Sequence, residues 1–168
     1  MNLILQRLWE VMSIPFTDFS MLWEVLPLVI TIIIMEMYFG RYKKEQIGWN
    51  SALSNSLVLI YIGSNLLHFL FLKNEITYTN GYTFVALAVI LVGLLLAVLD
   101  YHHILPKTLT FGISSVLPIN FLAYLAIVFV HGHLILDLNT LFASLILFLI
   151  LLLLVKIVHL IQKPTLKE

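Results

Sequence analysis

The sequence contains no cysteine in its 168 residues. This absence excludes disulfide bonds, thiolate metal centres and covalently attached haem. Charged residues make up only 11% of the chain, whereas a soluble domain carries about a quarter. Basic and acidic residues are equal in number, with nine of each. The chain therefore offers no basic field that attracts nucleic acid, and no nucleic-acid partner is predicted.

The sequence has instead five long apolar stretches that fill most of its length, in a chain that is 61% hydrophobic. A bilayer core is about 30 Å thick, and a helix that crosses it needs about 20 apolar residues. The predicted fold class is therefore an all-α integral membrane protein with a single transmembrane domain over residues 1–168 and the lipid bilayer as its surroundings. The five spans are predicted at 21–39, 50–71, 82–99, 109–130 and 138–155.

The first 14 residues have the spacing of a short amphipathic helix. Such a helix lies flat in the membrane interface, with Trp9 at the depth of the headgroups, and Pro15 ends the pattern. It serves either to orient the first span or to dock another subunit. Its apolar residues are Met1, Ile4, Leu5, Leu8, Val11 and Met12, and its polar residues are Asn2, Gln6, Arg7, Glu10 and Ser13.

The basic residues are distributed unequally between the two sides of a five-span chain. Short loops rich in lysine and arginine stay in the cytoplasm. This rule predicts an N-terminus outside and a cytoplasmic C-terminus. One side carries only Arg7 and Lys73, and the other carries Arg41, Lys43, Lys44, Lys107, Lys156, Lys163 and Lys167.

Two spans carry polar side chains at helical spacing. The stripe of span two consists of Asn50, Ser54, Tyr61, Asn65 and His68, and that of span four of Asn120, Tyr124 and His131. Because lipid offers no hydrogen-bond partners, each stripe is expected to face the inside of the bundle. If the two spans are neighbours, the stripes form either an adhesive seam or a hydrated path. A kink is expected near Pro118, in the middle of span four.

An acidic residue stands at each end of span one. A carboxylate inside a span is costly, so it faces protein or water. Glu24 is expected to reach the outer headgroups. Glu36 is expected either to form a structural ion pair with Arg41 or Lys43 or to act as a functional carboxylate.

The six histidines lie near the two ends of the spans rather than at their centres, which permits three interpretations. The first is structural, because imidazole is tolerated at a membrane interface. The second is a divalent metal bound by His131, His133 and Asp137, or by His102 and His103. The third is haem between paired histidines, either His68 with His131 or His159 with His102 or His103. No cofactor is predicted by the first interpretation.

Motifs for catalysis are scarce. The Gly112–Ser115 segment only faintly resembles an intramembrane serine site, and Asp100 and Asp137 are predicted on opposite sides of the bilayer. The prediction is therefore a non-enzymatic membrane protein that acts as a structural or accessory subunit of a homo- or hetero-oligomeric membrane assembly. One alternative is a small transporter or channel with a polar path between spans two and four. Another is a bis-histidine haem-binding or metal-binding membrane protein.

Overall fold

The structure is a computed structural model, and it describes residues 3–42, 48–76 and 80–162. The predictions that rest on Met1, Asn2, Lys43, Lys44, Lys163 and Lys167 lie outside the described residues.

The described secondary structure is helical throughout, and the fourth predicted span is divided into two helices. The elements are α1 (Leu3–Ser13), a 3₁₀ turn (Ile14–Phe16), α2 (Phe19–Arg41), α3 (Trp49–Leu72), α4 (Gly81–Tyr101), α5 (Lys107–Ile113), α6 (Val116–His131) and α7 (Leu138–Ile161).

All five predicted stretches fall within helical segments that are long and apolar enough to cross a membrane. This confirms the all-helical class and the five candidate spans. The boundaries agree to within a few residues except at α7, which continues to Ile161 rather than ending near residue 155. The insertion of these helices into a bilayer, and the location of α1 in the interface, stay predictions.

Side-chain caps explain where three of the helices begin. Asp18, Asn80 and Asp137 each precede a helix and accept a backbone N–H two or three residues further on. Such a cap satisfies one of the amide donors that the first turn of a helix leaves unpaired. These caps set the starts of α2, α4 and α7.

Three helices end in a residue with left-handed backbone conformation, and none of the three is glycine. Asn74, His103 and His133 have φ angles between 48° and 57°. After each, the next N–H closes back onto a carbonyl five residues earlier, as in a Schellman motif. Asn and His tolerate this conformation better than most residues. His103 and His133 are therefore helix-terminating residues in this fold.

The two-part fourth span is the centre of the bundle. In its apolar window 61% of the residues are buried, compared with 17% in α2 and in α7. Helix α6 contacts α3 and α4 on one side and α2 on the other, while α1 and α2 pack against α7. The chain thus arranges its spans around α6.

Glycine at two positions allows α3 and α4 to pack very closely. A Cβ atom at Gly93 would lie 3.0 Å from the backbone nitrogen of Ile60 and 3.0 Å from the Cβ of Leu59. A Cβ at Gly63 would meet the backbone of α4 at a similar distance. Small residues permit this approach between membrane helices. The contact fixes which face of α3 is buried and, therefore, which face remains outside.

Candidate functional site

The fourth span is interrupted at Ser114 and Ser115, one turn before Pro118. Proline has no backbone N–H, so within a continuous helix the carbonyl four residues earlier, at Ser114, loses its donor. The side chain of Asn55 on α3 supplies the replacement, with its Nδ2 donating to the Ser114 carbonyl oxygen at 2.8 Å. The kink expected at Pro118 is thus realised as a break one turn before it.

The break brings together a group of side chains that we call the inner polar cluster: Asn55, Ser56, Asp100 and Ser114. The carboxylate of Asp100 accepts a hydrogen bond from Ser56 Oγ at 2.7 Å and another from Ser114 Oγ at 3.2 Å. Asp100 is only 1% exposed. Over the described ranges, no lysine, arginine or histidine nitrogen lies within 4.0 Å of it. The cluster therefore contains a buried carboxylate that has no basic partner among the described residues.

A surface groove borders this cluster at Asn55. It has a volume of about 220 Å³ and is lined by residues of α2, α3 and the start of α6. Asn55 belongs both to the groove and to the cluster. The groove is lined by Met35, Phe39, Asn50, Ser51, Ser54, Asn55 and Val116.

The polar stripe of α3 does not face the inside of the chain, and the expectation that it would is wrong. Asn65 is half-buried, and Asn50, Ser54, Tyr61 and His68 are exposed. The side chain of Tyr61, in the middle of the helix, is 64% exposed. The close glycine contact with α4 buries a different face of α3, which carries Ala52, Ser56, Leu59, Gly63 and Leu66.

The polar residues of α6 are buried, but they do not pair with those of α3. Asn120 donates to the carbonyl of Val116 in its own helix, and the hydroxyl of Tyr124 donates to the carbonyl of Val11 at 2.7 Å. Helices α3 and α6 are in contact. However, in the part of the chain that the structure describes, no hydrogen bond joins the two stripes, so their predicted pairing is wrong.

His131 occupies a buried position at the C-terminal end of α6. Its ring stacks on Phe69 at a centroid distance of 3.8 Å, and its Nε2 lies 3.6 Å from Glu24 Oε2. That separation is too long for a hydrogen bond. Neither ring nitrogen has a hydrogen-bond partner among the described residues. The contact brings the N-terminal part of α2 close to the C-terminal end of α6, without a hydrogen bond between the two side chains.

The predicted metal ligands are dispersed rather than gathered. His103 stacks on Trp49, His102 lies edge-on to Tyr101, and the Nε2 of His133 is 3.9 Å from Glu75 Oε2. Within residues 3–42, 48–76 and 80–162, no group of three or more histidine, aspartate or glutamate side chains is placed to hold a metal ion. The interpretations with haem or a divalent metal gain no support from this geometry.

Asp137, the third of the predicted outer ligands, is engaged in other contacts. It caps α7 through Thr140, and its Oδ2 lies 3.7 Å from Arg7 Nη2. The hydrogen bonds from Thr140, helped by Arg7, lower the pKa of the Asp137 carboxyl. The hydrogen bonds from Ser20 lower the pKa of Asp18 in the same way at the start of α2. Both caps are thus held in the ionised form.

Glu36 lies beside a histidine, His159. His159 Nε2 lies 3.3 Å from Glu36 Oε2 and 2.9 Å from the Glu36 carbonyl oxygen. The predicted alternative partner Lys43 lies outside the described residues, and the ion pair of Glu36 with Arg41 stays a prediction. The contact joins the C-terminal parts of α2 and α7, through residues that are 123 positions apart in the chain.

The hydrogen bonds of Ser56 and Ser114 to Asp100 were not predicted from the sequence. The available signal was Pro118, because the carbonyl that it leaves unpaired is always the one four residues earlier. Which amide would reach that carbonyl, and which carboxylate would lie beside it, depends on how separate helices pack. No protein family, no curated protein and no solved structure matches this chain.

Proposed function

We propose that the protein is a non-enzymatic subunit of a membrane assembly, in which the polar stripe of α3 is covered by partner protein. The five apolar helices span the bilayer, with the N-terminus outside and the C-terminus in the cytoplasm. The partner is either a second copy of this chain or another membrane protein.

The exposure of Tyr61 is the observation that carries this proposal. Tyr61 lies midway along a 24-residue helix and is 64% exposed in the isolated chain. A polar group that is left without a hydrogen bond in hydrocarbon costs several kcal/mol, and lipid tails supply no partner. Asn65 and His68, which lie nearer the end of the helix, also need hydrogen-bond partners. A partner protein that offers hydrogen-bonding groups meets this requirement.

Helix α7 provides the contrast within the same molecule. Its exposed side chains are almost all leucine and isoleucine, for example Leu153, which is 59% exposed. Such a surface is compatible with lipid without any partner. The two exposed surfaces thus favour different neighbours, protein at α3 and lipid at α7.

Photocrosslinking in native membranes tests the proposal. Because the chain has no cysteine, Tyr61→Cys and Leu153→Cys each carry a single attachment point for a photoreactive maleimide. We expect the label at position 61 to give a protein adduct. Its mass is twice the 19.3 kDa of the chain if the partner is a second copy. The label at position 153 is expected to react with lipid only.

The double variant Tyr61→Leu/His68→Leu tests the same surface without a label. If protein covers the stripe, the substitution decreases the size of the assembly measured by light scattering in detergent. The opposite result, in which position 61 reacts only with lipid and the leucine variant is at least as stable as the wild type, contradicts the proposal.

A second candidate is a small transporter, and the groove beside the inner polar cluster favours it. The groove leads from the surface between α2 and α3 to Asn55, one hydrogen bond from Ser114 and two from Asp100. Broken helices beside a cavity are a common feature of transporter sites. Flux of ions into liposomes that contain the purified protein, compared with empty liposomes, tests this candidate. Asp100→Asn is the matched variant.

A further inference from the structure

From the inner polar cluster we infer a binding site for Na⁺, formed by the carboxylate of Asp100 with the hydroxyls of Ser56 and Ser114. This site is separate from the α3 stripe and does not depend on what covers that stripe.

The buried negative charge of Asp100 favours a bound cation. Asp100 is 1% exposed, and over the described ranges no basic nitrogen lies within 4.0 Å of its carboxylate. Moving an unpaired carboxylate out of water costs several kcal/mol even after the protein relaxes. Asp100 also stands in the last turn of α4, where the helix dipole is unfavourable to a negative charge. A bound cation compensates for both effects.

The hydrogen bonds of the Ser56 hydroxyl also favour a cation beside Asp100. The hydroxyl of Ser56 has one proton but two acceptors within reach, Asp100 Oδ2 at 2.7 Å and the Ala52 carbonyl at 3.1 Å. If a cation binds Asp100, Ser56 donates to Ala52 and turns a lone pair towards the cation. Every oxygen then has a partner. A carboxylate has about four acceptor positions, and the two serines occupy only two of them.

The charge of the site and the type of its ligands indicate which cation it binds. A single carboxylate is neutralised by one positive charge, so a divalent ion would leave a net charge buried. The ligands are carboxylate and hydroxyl oxygens, which are hard donors. The two hydroxyls already lie within hydrogen-bond distance of the carboxylate, at 2.7 and 3.2 Å, so they are close enough to share one cation with it. Charge and ligand type together favour Na⁺ over a doubly charged cation.

A further buried hydroxyl lies on the same face of the fourth span. Thr110 is 1% exposed, and its Oγ1 has no hydrogen-bond partner in the described part of the chain. It precedes Ser114 by one helical turn, and its carbonyl accepts the N–H of Ser114. An unpaired buried hydroxyl requires an unseen partner. In the inferred Na⁺ site this hydroxyl is one more oxygen ligand.

Thermal unfolding of the detergent-purified protein tests the inference. NaCl is titrated against choline chloride at constant ionic strength and at pH 8. A ligand that binds only the folded state raises the unfolding temperature as its concentration rises. We expect the midpoint to rise with Na⁺ in the wild type and not in Asp100→Asn. The variant should already be as stable without Na⁺ as the wild type is with it.

Two serines on α3 provide a matched pair if Asp100→Asn fails to fold. Ser56 and Ser64 both donate to the carbonyl four residues earlier, but only Ser56 reaches Asp100. Ser56→Ala is expected to raise the apparent Na⁺ dissociation constant about tenfold or more, whereas Ser64→Ala leaves it unchanged. Equal effects of the two substitutions overturn the inference.

The same titration contains the results that overturn the inference. If the unfolding midpoint of the wild type does not respond to Na⁺ at pH 8, no Na⁺ binds at Asp100 and the inference is wrong. If the midpoint responds equally to NaCl, KCl and choline chloride, the effect is one of ionic strength, and the inference is also wrong.

Discussion

The side-chain amide of Asn55 donates to the carbonyl oxygen of Ser114 at 2.8 Å and so replaces the backbone N–H that Pro118 lacks. A neighbouring helix thus stabilises the break in the fourth span. Because Ser114 also donates its hydroxyl to Asp100, the same break holds the buried carboxylate in position. The architecture of α5 and α6 therefore depends on one polar contact with α3.

Asn55→Leu is expected to lower the free energy of unfolding by about 1 kcal/mol, the scale of a hydrogen bond between membrane helices. The loss should be smaller in a Pro118→Ala background, since alanine restores the N–H that binds the Ser114 carbonyl. Chemical unfolding in detergent measures both. Asn50→Leu is the control, because Asn50 is exposed. Equal losses at positions 50 and 55 would contradict the expectation.

The contact of α3 with α4 predicts opposite effects for two glycine-to-alanine substitutions. Alanine favours a helix over glycine by about 1 kcal/mol. At Gly93 the added methyl group meets the backbone of Ile60 at 3.0 Å, and overpacking costs about 1–3 kcal/mol. We therefore expect Gly93→Ala to lower the unfolding midpoint.

Gly112→Ala is the matched control, because a Cβ atom there meets nothing within 4 Å. It should leave the midpoint unchanged or raise it. A stabilising effect of Gly93→Ala would show that the two helices do not approach as closely as the structure has them.

Acid should weaken the start of α7 through Asp137. The pKa of this carboxyl is lowered in the folded state, because Thr140 donates to it. Its contribution to stability is therefore present above its unfolded pKa near 3.8 and is lost as the pH falls through the folded value. Asp137→Ala should be less stable than the wild type at pH 6, and the difference should disappear in strong acid.

Asp137→Asn separates the cap from the contact with Arg7. Asparagine caps a helix about as well as aspartate does but carries no charge. A stability near that of the wild type at pH 6 assigns the effect to the cap. A loss as large as that of the alanine variant assigns it to the ion pair instead.

The distribution of basic residues predicts which loops are accessible from outside the cell. Lys107 and Leu136 are both exposed and lie on opposite sides of the predicted topology. With an impermeant thiol reagent on intact cells, Leu136→Cys should be labelled and Lys107→Cys should not. Both should be labelled after permeabilisation. If only position 107 is labelled on intact cells, the predicted orientation of the chain is wrong.

Hydrophobicity and local chemistry determined the helices themselves. Each apolar stretch became a helix because a long apolar segment with few charges can satisfy its backbone only internally. The starts of α2, α4 and α7 follow from Asp18, Asn80 and Asp137, which act on amides a few residues away. These features depend on neighbours in the chain, so the sequence alone is sufficient to predict them.

The candidate site was predictable only in part, because its members come from different helices. Asp100 was noted as an aspartate at the end of a span, but its burial depends on where α3 and the break at Ser114 are placed against α4. His159 was considered as a haem ligand, whereas the packing of α7 on α2 makes it the partner of Glu36.

The sequence by itself determined five apolar helices, their approximate limits and the spacing of their polar residues. Only the tertiary structure decided how each helix is rotated. The polar stripe of α3 was expected inside, because lipid cannot bond it, but Gly63 and Gly93 allow a close approach that buries the other face. Packing between helices depends on the shapes of both surfaces that meet. The periodicity of one segment describes only the surface of that segment.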